Sequence, residues 1–376
     1  MIGRMMRRRD FLGAGGLLLG SALLSACGTA KGAVLRDGRL AMAVVATYGT
    51  GTATYADVAA VANAMTNAKD VNIRIVTSDT AIGRMTPLRS GQATFARTGD
   101  EYIFAFEAEH EFATREWGPQ PTRVVWGPVA PHSLLTTSRT GIVDLADLRG
   151  KKIPLITANP SVNGKITSFL AAGGLTREDV ELVPISYGEQ ADALKSGKLD
   201  ILFQQVYGSS LFELESAATV RWVELDEKDE ATIRETSPSV RLGSFTGAPG
   251  QKGSGSDIGM IYSVPLITYA ESDDDLVYAF ARDIVDTYPA YEKATATTPD
   301  WGIDEAMTAP VQVPFHPGLI RLLEERDMWP ESSQRRQDEL LEREEQLARG
   351  WQAMADVSDD ELAAAWATWK KENLDD

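Results

Sequence analysis

The chain has 376 residues, a formal net charge of −17 and one cysteine. With 43% hydrophobic and 24% charged residues it is globular, neither fibrous nor disordered, and long enough for about two domains. A single cysteine excludes intramolecular disulfides and cysteine-based metal clusters. Three histidines (His110, His132, His316) argue against a histidine-rich metal site, and the acidic balance argues against nucleic acid as a partner.

The charge is unevenly placed. Residues 1–26 carry a net +3, from Arg4, Arg7, Arg8 and Arg9 against Asp10, which leaves −20 for the rest. An apolar run, Phe11 to Leu24, follows; it is too short to span a membrane and fits the apolar region of an export signal. Arg8-Arg9-Asp10-Phe11-Leu12 looks like a twin-arginine signal, with the ordinary export route left open. Leu24-Ser25-Ala26-Cys27 resembles the lipobox of bacterial lipoproteins. That resemblance implies a diacylglycerol on Cys27, which becomes the first residue of a membrane-anchored, extracytoplasmic chain. The alternative is a buried free cysteine. Residues 28–39 read as a tether.

Beyond the tether, apolar runs of strand length alternate with segments of helical periodicity. Strands are predicted at 40–47, 72–77, 123–129, 134–138, 153–157, 181–185, 201–205, 222–225 and 258–269. Helices are predicted at 55–68, 81–90, 162–172, 189–196, 209–217 and 273–287. The alternation predicts an α/β fold with parallel sheets. A Gly/Ser-rich stretch, 243–256, reads as an exposed loop. The chain leaves one unit, builds another and returns, which predicts two lobes and a hinge: lobe 1 from 40–133 plus 257–330, lobe 2 from 134–256. Residues 331–376 read as a charged helical extension. Its Leu340, Leu347, Trp351 and Met354 share a face, which favours packing on a lobe over a partner surface.

Catalytic motifs are missing. His110-Glu111 has no histidine at position 114, so the zinc-protease pattern fails. There is no phosphate-binding Walker sequence and no G-x-S-x-G elbow, and Gly49-Thr50-Gly51 lacks the third glycine of a dinucleotide fingerprint. No cofactor is expected, and the chain reads as a binder, not an enzyme. Three small-polar loops follow strands and open helices: 49–54, 78–80 and 159–163. In open α/β sheets a ligand crevice lies at such ends, although each loop alone also reads as an ordinary capped turn.

At these loops the chain resembles the TAXI family of solute receptors for TRAP (tripartite ATP-independent periplasmic) transporters. Tyr48-GTGTAT-Tyr55, Ser78–Gly91, IVDLADLRGKKI (142–153), LKSGKLDILF (194–203) and VPFHPGL (313–319) are similar to family segments in the same order. The resemblance implies a two-lobed periplasmic-binding-protein type II fold that closes on a small organic anion or amino acid, such as glutamate or 2-oxoglutarate. It also implies a TRAP permease as partner. A receptor for an ATP-driven (ABC) importer, and a sensing or enzymatic lipoprotein, stand as alternatives. By position the resemblance carries over Gly49, Thr50, Gly51, Thr52 and Tyr55 from the first loop, and Ser78 and Thr80 from the second. It adds Asn159, Ser161 and Asn163 from the third, and Gln204, Gln205 and Tyr207 after the strand of the second lobe. Arg84, Arg97 and Asp100 depart from the family pattern. An arginine here would pair with an acidic solute, although each position alone reads rather as a surface or salt-bridged arginine; Arg97 with Asp100 could instead hold both ends of a zwitterion. His316, between two prolines, reads as structural.

Overall fold

A computed structural model describes residues 33–253 and 255–374. The export signal, Cys27 and the first part of the tether lie outside the described residues. The tether's last residues are not a linker. Ala33–Arg36 (β1) forms a hairpin with Arg39–Thr47 (β2). Its two-residue turn is Asp37-Gly38, both at positive φ (51° and 70°), the geometry that an Asp-Gly pair favours between antiparallel strands.

The first sheet continues through helix α1 (Ala53–Lys69), β3 (Asn72–Thr77), α2 (Ala81–Arg89), β4 (Phe95–Arg97), α3 (Glu101–Glu107) and β5 (Thr122–Trp126). β2 runs parallel to β3 on one edge; on the other it pairs with β1 and then with β4. The chain then crosses at Gly127-Pro128 into the second lobe, which holds a second sheet and a separate two-stranded one, Lys152–Ile156 with Glu181–Ile185. Its elements are β6 (Val129–Thr137), β7 (Lys152–Ile156), α4 (Pro160–Ala172), β8 (Glu181–Ile185), α5 (Gln190–Ser196), β9 (Ile201–Gln205), α6 (Ser209–Ala217), β10 (Val220–Trp222), α7 (Glu230–Thr236), β11 (Arg241–Thr246) and β12 (Ser256–Ser263). Val264-Pro265 returns it to β13 (Leu266–Tyr269), which lies between β4 and β5.

The two crossings lie side by side. The Val264 N–H and the Ser263 hydroxyl both donate to the Pro128 carbonyl, at 3.3 and 3.0 Å. The architecture is therefore two-lobed, of the type II periplasmic-binding-protein kind, with a two-stranded hinge and a helical C-terminal extension. Sheet membership changes at 127–128 and 264–265, not at 133/134 and 256/257. Proline has no N–H to continue a ladder, so Pro128 and Pro265 mark the breaks inside what reads as unbroken apolar sequence.

Two further expectations need correction. The second sheet is antiparallel at every pairing, because the chain enters on β6 and leaves on its neighbour β12. Parallel pairing is confined to β2 with β3 and β4, and to β7 with β8. Within the stretch 243–256, residues up to Thr246 belong to β11.

After β13 come α8 (Asp274–Tyr291), α9 (Pro317–Glu324), α10 (Glu331–Ala353) and α11 (Asp359–Asn373). The last two pack on the first lobe: Leu347, Met354, Leu362 and Trp366 are buried in its core. Trp366 Nε1 donates to the Glu107 carbonyl at 2.9 Å, and Arg123 grips Glu344 with both terminal nitrogens. Among the described residues no helix is long and apolar enough to cross a membrane.

Candidate functional site

The three loops meet where the lobes touch. In the first, Thr52 is the N-cap of α1: its hydroxyl accepts from the Tyr55 N–H at 3.2 Å and donates to the Gly49 carbonyl at 2.8 Å. Thr52 is thus used in folding the turn. Thr50 is exposed and Tyr55 half-buried. Gly51, at φ +89°, turns its carbonyl to the second lobe, where the Ser209 hydroxyl donates to it at 3.2 Å.

The second loop is arranged alike. Thr80 caps α2 by accepting from the Gly83 N–H at 3.1 Å, and Ser78 folds back on Thr80. Between them Asp79 reaches across the cleft. One carboxylate oxygen accepts from the Gly49 N–H and the other from the Gly188 N–H of the second lobe, both at 3.2 Å.

The third loop opens α4. Asn159 caps it, accepting from the Val162 N–H at 3.2 Å, and reaches the Asp79 carbonyl at 3.5 Å. Asn163 clips both backbone groups of Ile156 at 2.8 Å, which terminates β7, so its amide is not available to a solute. Ser161 faces the other lobe and accepts from the Asp100 N–H at 3.0 Å.

Beyond β9, Gln204 donates to the Tyr187 carbonyl at 3.1 Å. Gln205 is buried with neither amide atom partnered among the described residues. The Tyr207 hydroxyl is used within the second lobe, donating to the Thr246 carbonyl at 2.7 Å.

Arg97 and Asp100 do not form a zwitterion clamp; Arg97 is the salt-bridged arginine that its position alone suggests. Arg97 is held inside the first lobe by Asp57 (3.0 Å) and by the Thr54 and Val264 carbonyls. Its position on β4 points it under α1, away from Asp100. Asp100 pairs instead with Lys165 of α4, an ion pair that joins the lobes. Next to it, Arg84 and Glu101 form a second pair at 2.7 Å, both fully buried. The Arg84 guanidinium lies 3.7 Å over the Tyr48 ring, and the Lys165 ammonium 4.3 Å from the Tyr262 ring centre. Tyr48 and Tyr187 pack across the seam at 5.4 Å.

Burial is the main cause of the shifted protonation here. It raises Tyr48, Tyr187 and Tyr262 well above the ordinary phenol value. It lowers His132, stacked on Tyr262, to about 3, so the imidazole is neutral and bonds the Ala130 carbonyl through Nδ1.

Of the residues named from sequence, Gly49, Gly51, Arg84, Asp100, Asn159, Ser161, Gln204 and Gln205 lie on the seam. Thr52, Ser78, Thr80 and Asn163 shape its loops, and Arg97 and the Tyr207 hydroxyl are each engaged within their own lobe. The seam also holds Tyr48, Asp79, Glu101, Lys165, Tyr187 and Tyr262, which carry no sequence motif. One signal is present in the sequence: Ser161, Lys165 and Ser168 stand at i, i+4 and i+7 on one face of α4, and all three are buried. His316 is structural: it caps α9, accepting from the Gly318 N–H at 3.1 Å.

Solved structures with this general arrangement include three receptors. The alkanesulfonate-binding protein SsuA of Xanthomonas axonopodis, bound to MOPS, is 14% identical with a TM-score of 0.43, over 78% of this chain and 96% of that one. The periplasmic aliphatic sulphonate binding protein SsuA of Escherichia coli is 14% identical with a TM-score of 0.42, over 77% and 86%. The ligand-binding component of an ABC-type import system from Staphylococcus aureus, with zinc bound, is 10% identical with a TM-score of 0.46, over 77% and 92%. No curated protein matches the sequence. A family of periplasmic solute-binding type matches residues 45–326, well over half the chain. The chain belongs to the NMT1-like family.

Proposed function

We propose that the protein is an extracytoplasmic receptor that closes its two lobes on a small polar solute and delivers it to an ABC-type importer. The observation that carries this reading is the seam itself. Charged and small-polar groups from both lobes converge on the Asp100–Lys165 pair, beside a two-stranded hinge that lets the lobes part. Membership of the NMT1-like family supports it. The same membership favours the ABC importer over the TRAP permease that the TAXI resemblance implies. Export through the N-terminal signal and lipidation at Cys27 complete the proposal, keeping the receptor beside its transporter.

A thermal-shift screen of the mature protein against amino acids, dicarboxylates and sulfonates tests it. A solute at about 100 times its Kd adds roughly 2.7 kcal/mol to stability. Turnover of a solute with no stabilisation by any would refute the receptor reading. In cells, uptake that survives collapse of the ion gradient but fails on ATP depletion separates the ABC partner from the TRAP partner.

A further inference from the structure

We propose that the solute is dipolar, carrying an ammonium and an acidic group, as an α-amino acid does; the proposal rests on the receptor reading. Two ion pairs lie side by side at the seam, Arg84 with Glu101 and Lys165 with Asp100, while a third carboxylate, Asp79, is held by the Gly49 and Gly188 N–H groups. The imidazole of His132 is neutral and adds no charge.

The two ion pairs behave differently when the lobes part. Arg84 and Glu101 both belong to the first lobe and stay together. Asp100 belongs to the first and Lys165 to the second, so opening leaves a carboxylate facing an ammonium across the cleft. A dipolar solute re-pairs both on closure, its acidic group on Lys165 and its ammonium on Asp100. A simple anion satisfies Lys165 and leaves Asp100 buried without a counter-ion, and a simple amine does the reverse. A buried charge deprived of its partner is strongly unfavourable.

The unused hydrogen-bonding capacity has the same two-sided character. Among the described residues, Arg84 Nε is a buried donor without an acceptor and Glu101 Oε2 a buried acceptor without a donor. The Gln205 amide supplies one of each. Native interiors rarely leave such atoms unpaired, so a bound group is their natural complement. The lobes close tightly beside Glu101, at Gly99, where the closed form has no room for a side chain. A Cβ there would lie 2.7 Å from Ser161 Oγ, 2.9 Å from Glu101 Oε2 and 3.0 Å from the Tyr48 hydroxyl, polar atoms drawn from both lobes.

The test is calorimetric titration of the mature protein with matched sets. Alanine, leucine, phenylalanine, glutamate and taurine are each compared with the acid lacking the amino group and the amine lacking the acidic group. The expected result is that at least one dipolar parent binds and both of its single-charge analogues bind at least 100-fold more weakly. Asp100→Asn, which keeps the side-chain shape, should lower affinity for that parent at least tenfold and move the ratio of parent to deaminated acid towards the acid. That ratio is read within one folded variant, so a general loss of stability does not mimic it. A deaminated acid or an amine that binds as tightly as its parent overturns the dipolar assignment and leaves the receptor reading intact. Binding by no probe, and by none of the dicarboxylates or sulfonates, overturns both.

Discussion

Asp79 of the first lobe accepts a hydrogen bond from the backbone N–H of Gly188 in the second, at 3.2 Å, while its other oxygen holds Gly49 at the same distance. The carboxylate is therefore a clasp that joins the two lobes. The Ala81 N–H donates to the Ala158 carbonyl at 3.0 Å beside it. The closed arrangement is thus stabilised by the protein's own groups.

Asp79→Ala removes both carboxylate bonds. Hydrogen bonds to charged groups contribute about 1.5–3 kcal/mol each when buried, and less at this half-exposed position. The empty variant should shift towards the open form and bind solute roughly tenfold more weakly, since part of the closure energy is lost. Small-angle scattering of the solute-free protein checks this: a larger radius of gyration than wild type is expected, and identical curves would contradict the clasp.

Gly99→Ala tests the closeness of the lobes. The added methyl meets three polar atoms at 2.7–3.0 Å, one of them Ser161 of the opposite lobe. The lobes can part to relieve the clash, so folding should survive with a loss of about 1–3 kcal/mol at most while solute binding falls steeply. Urea unfolding and calorimetry on the same sample separate the two effects. Wild-type affinity would mean that this part of the seam does not close on solute.

Legibility in the sequence followed the physics of each part. Strand–loop–helix alternation showed the loops, since Thr52, Thr80 and Asn159 carry cap chemistry that is local in sequence. Antiparallel order in the second sheet was hidden, because β9 and β12 are apolar runs whose composition does not record the direction of their neighbours. The pairing of Asp100 with Lys165, 65 residues away, is likewise a product of tertiary packing. A search for arginine–acid clamps favoured Arg97, whose burial against Asp57 serves the first lobe alone. The Asp37-Gly38 pair is a hairpin signal local in sequence, within the stretch that reads as a tether.

Acid should destabilise the protein through its histidines. Burial lowers His316 to about 4, and its Nδ1 must stay unprotonated to accept from Gly318. The folded value lies below the unfolded one of about 6.5, so the neutral form is favoured by folding. This contribution is complete above pH ~6.5 and is lost as pH falls towards 4. Melting curves from pH 8 to 4 should fall across that window, and His316→Asn, which retains a capping oxygen, should flatten the fall. An unchanged slope would remove His316 as the cause.

The C-terminal helices should be part of the first lobe's stability. Trp366 is 1% exposed, stacks on Trp369 with ring centres 5.2 Å apart and bonds the Glu107 carbonyl. Trp366→Ala is expected to cost about 3–5 kcal/mol. Denaturant unfolding measures it, and a change under 1 kcal/mol would return α11 to the role of an independent partner surface.

The central claim is that solute binds in the seam at the Asp100–Lys165 pair. Titration of wild type and Lys165→Met with the solute that most raises the melting temperature tests it most directly. The account predicts at least a 100-fold loss of affinity in a variant that still folds cooperatively. Equal affinity in the two proteins would contradict it and move the site off the seam.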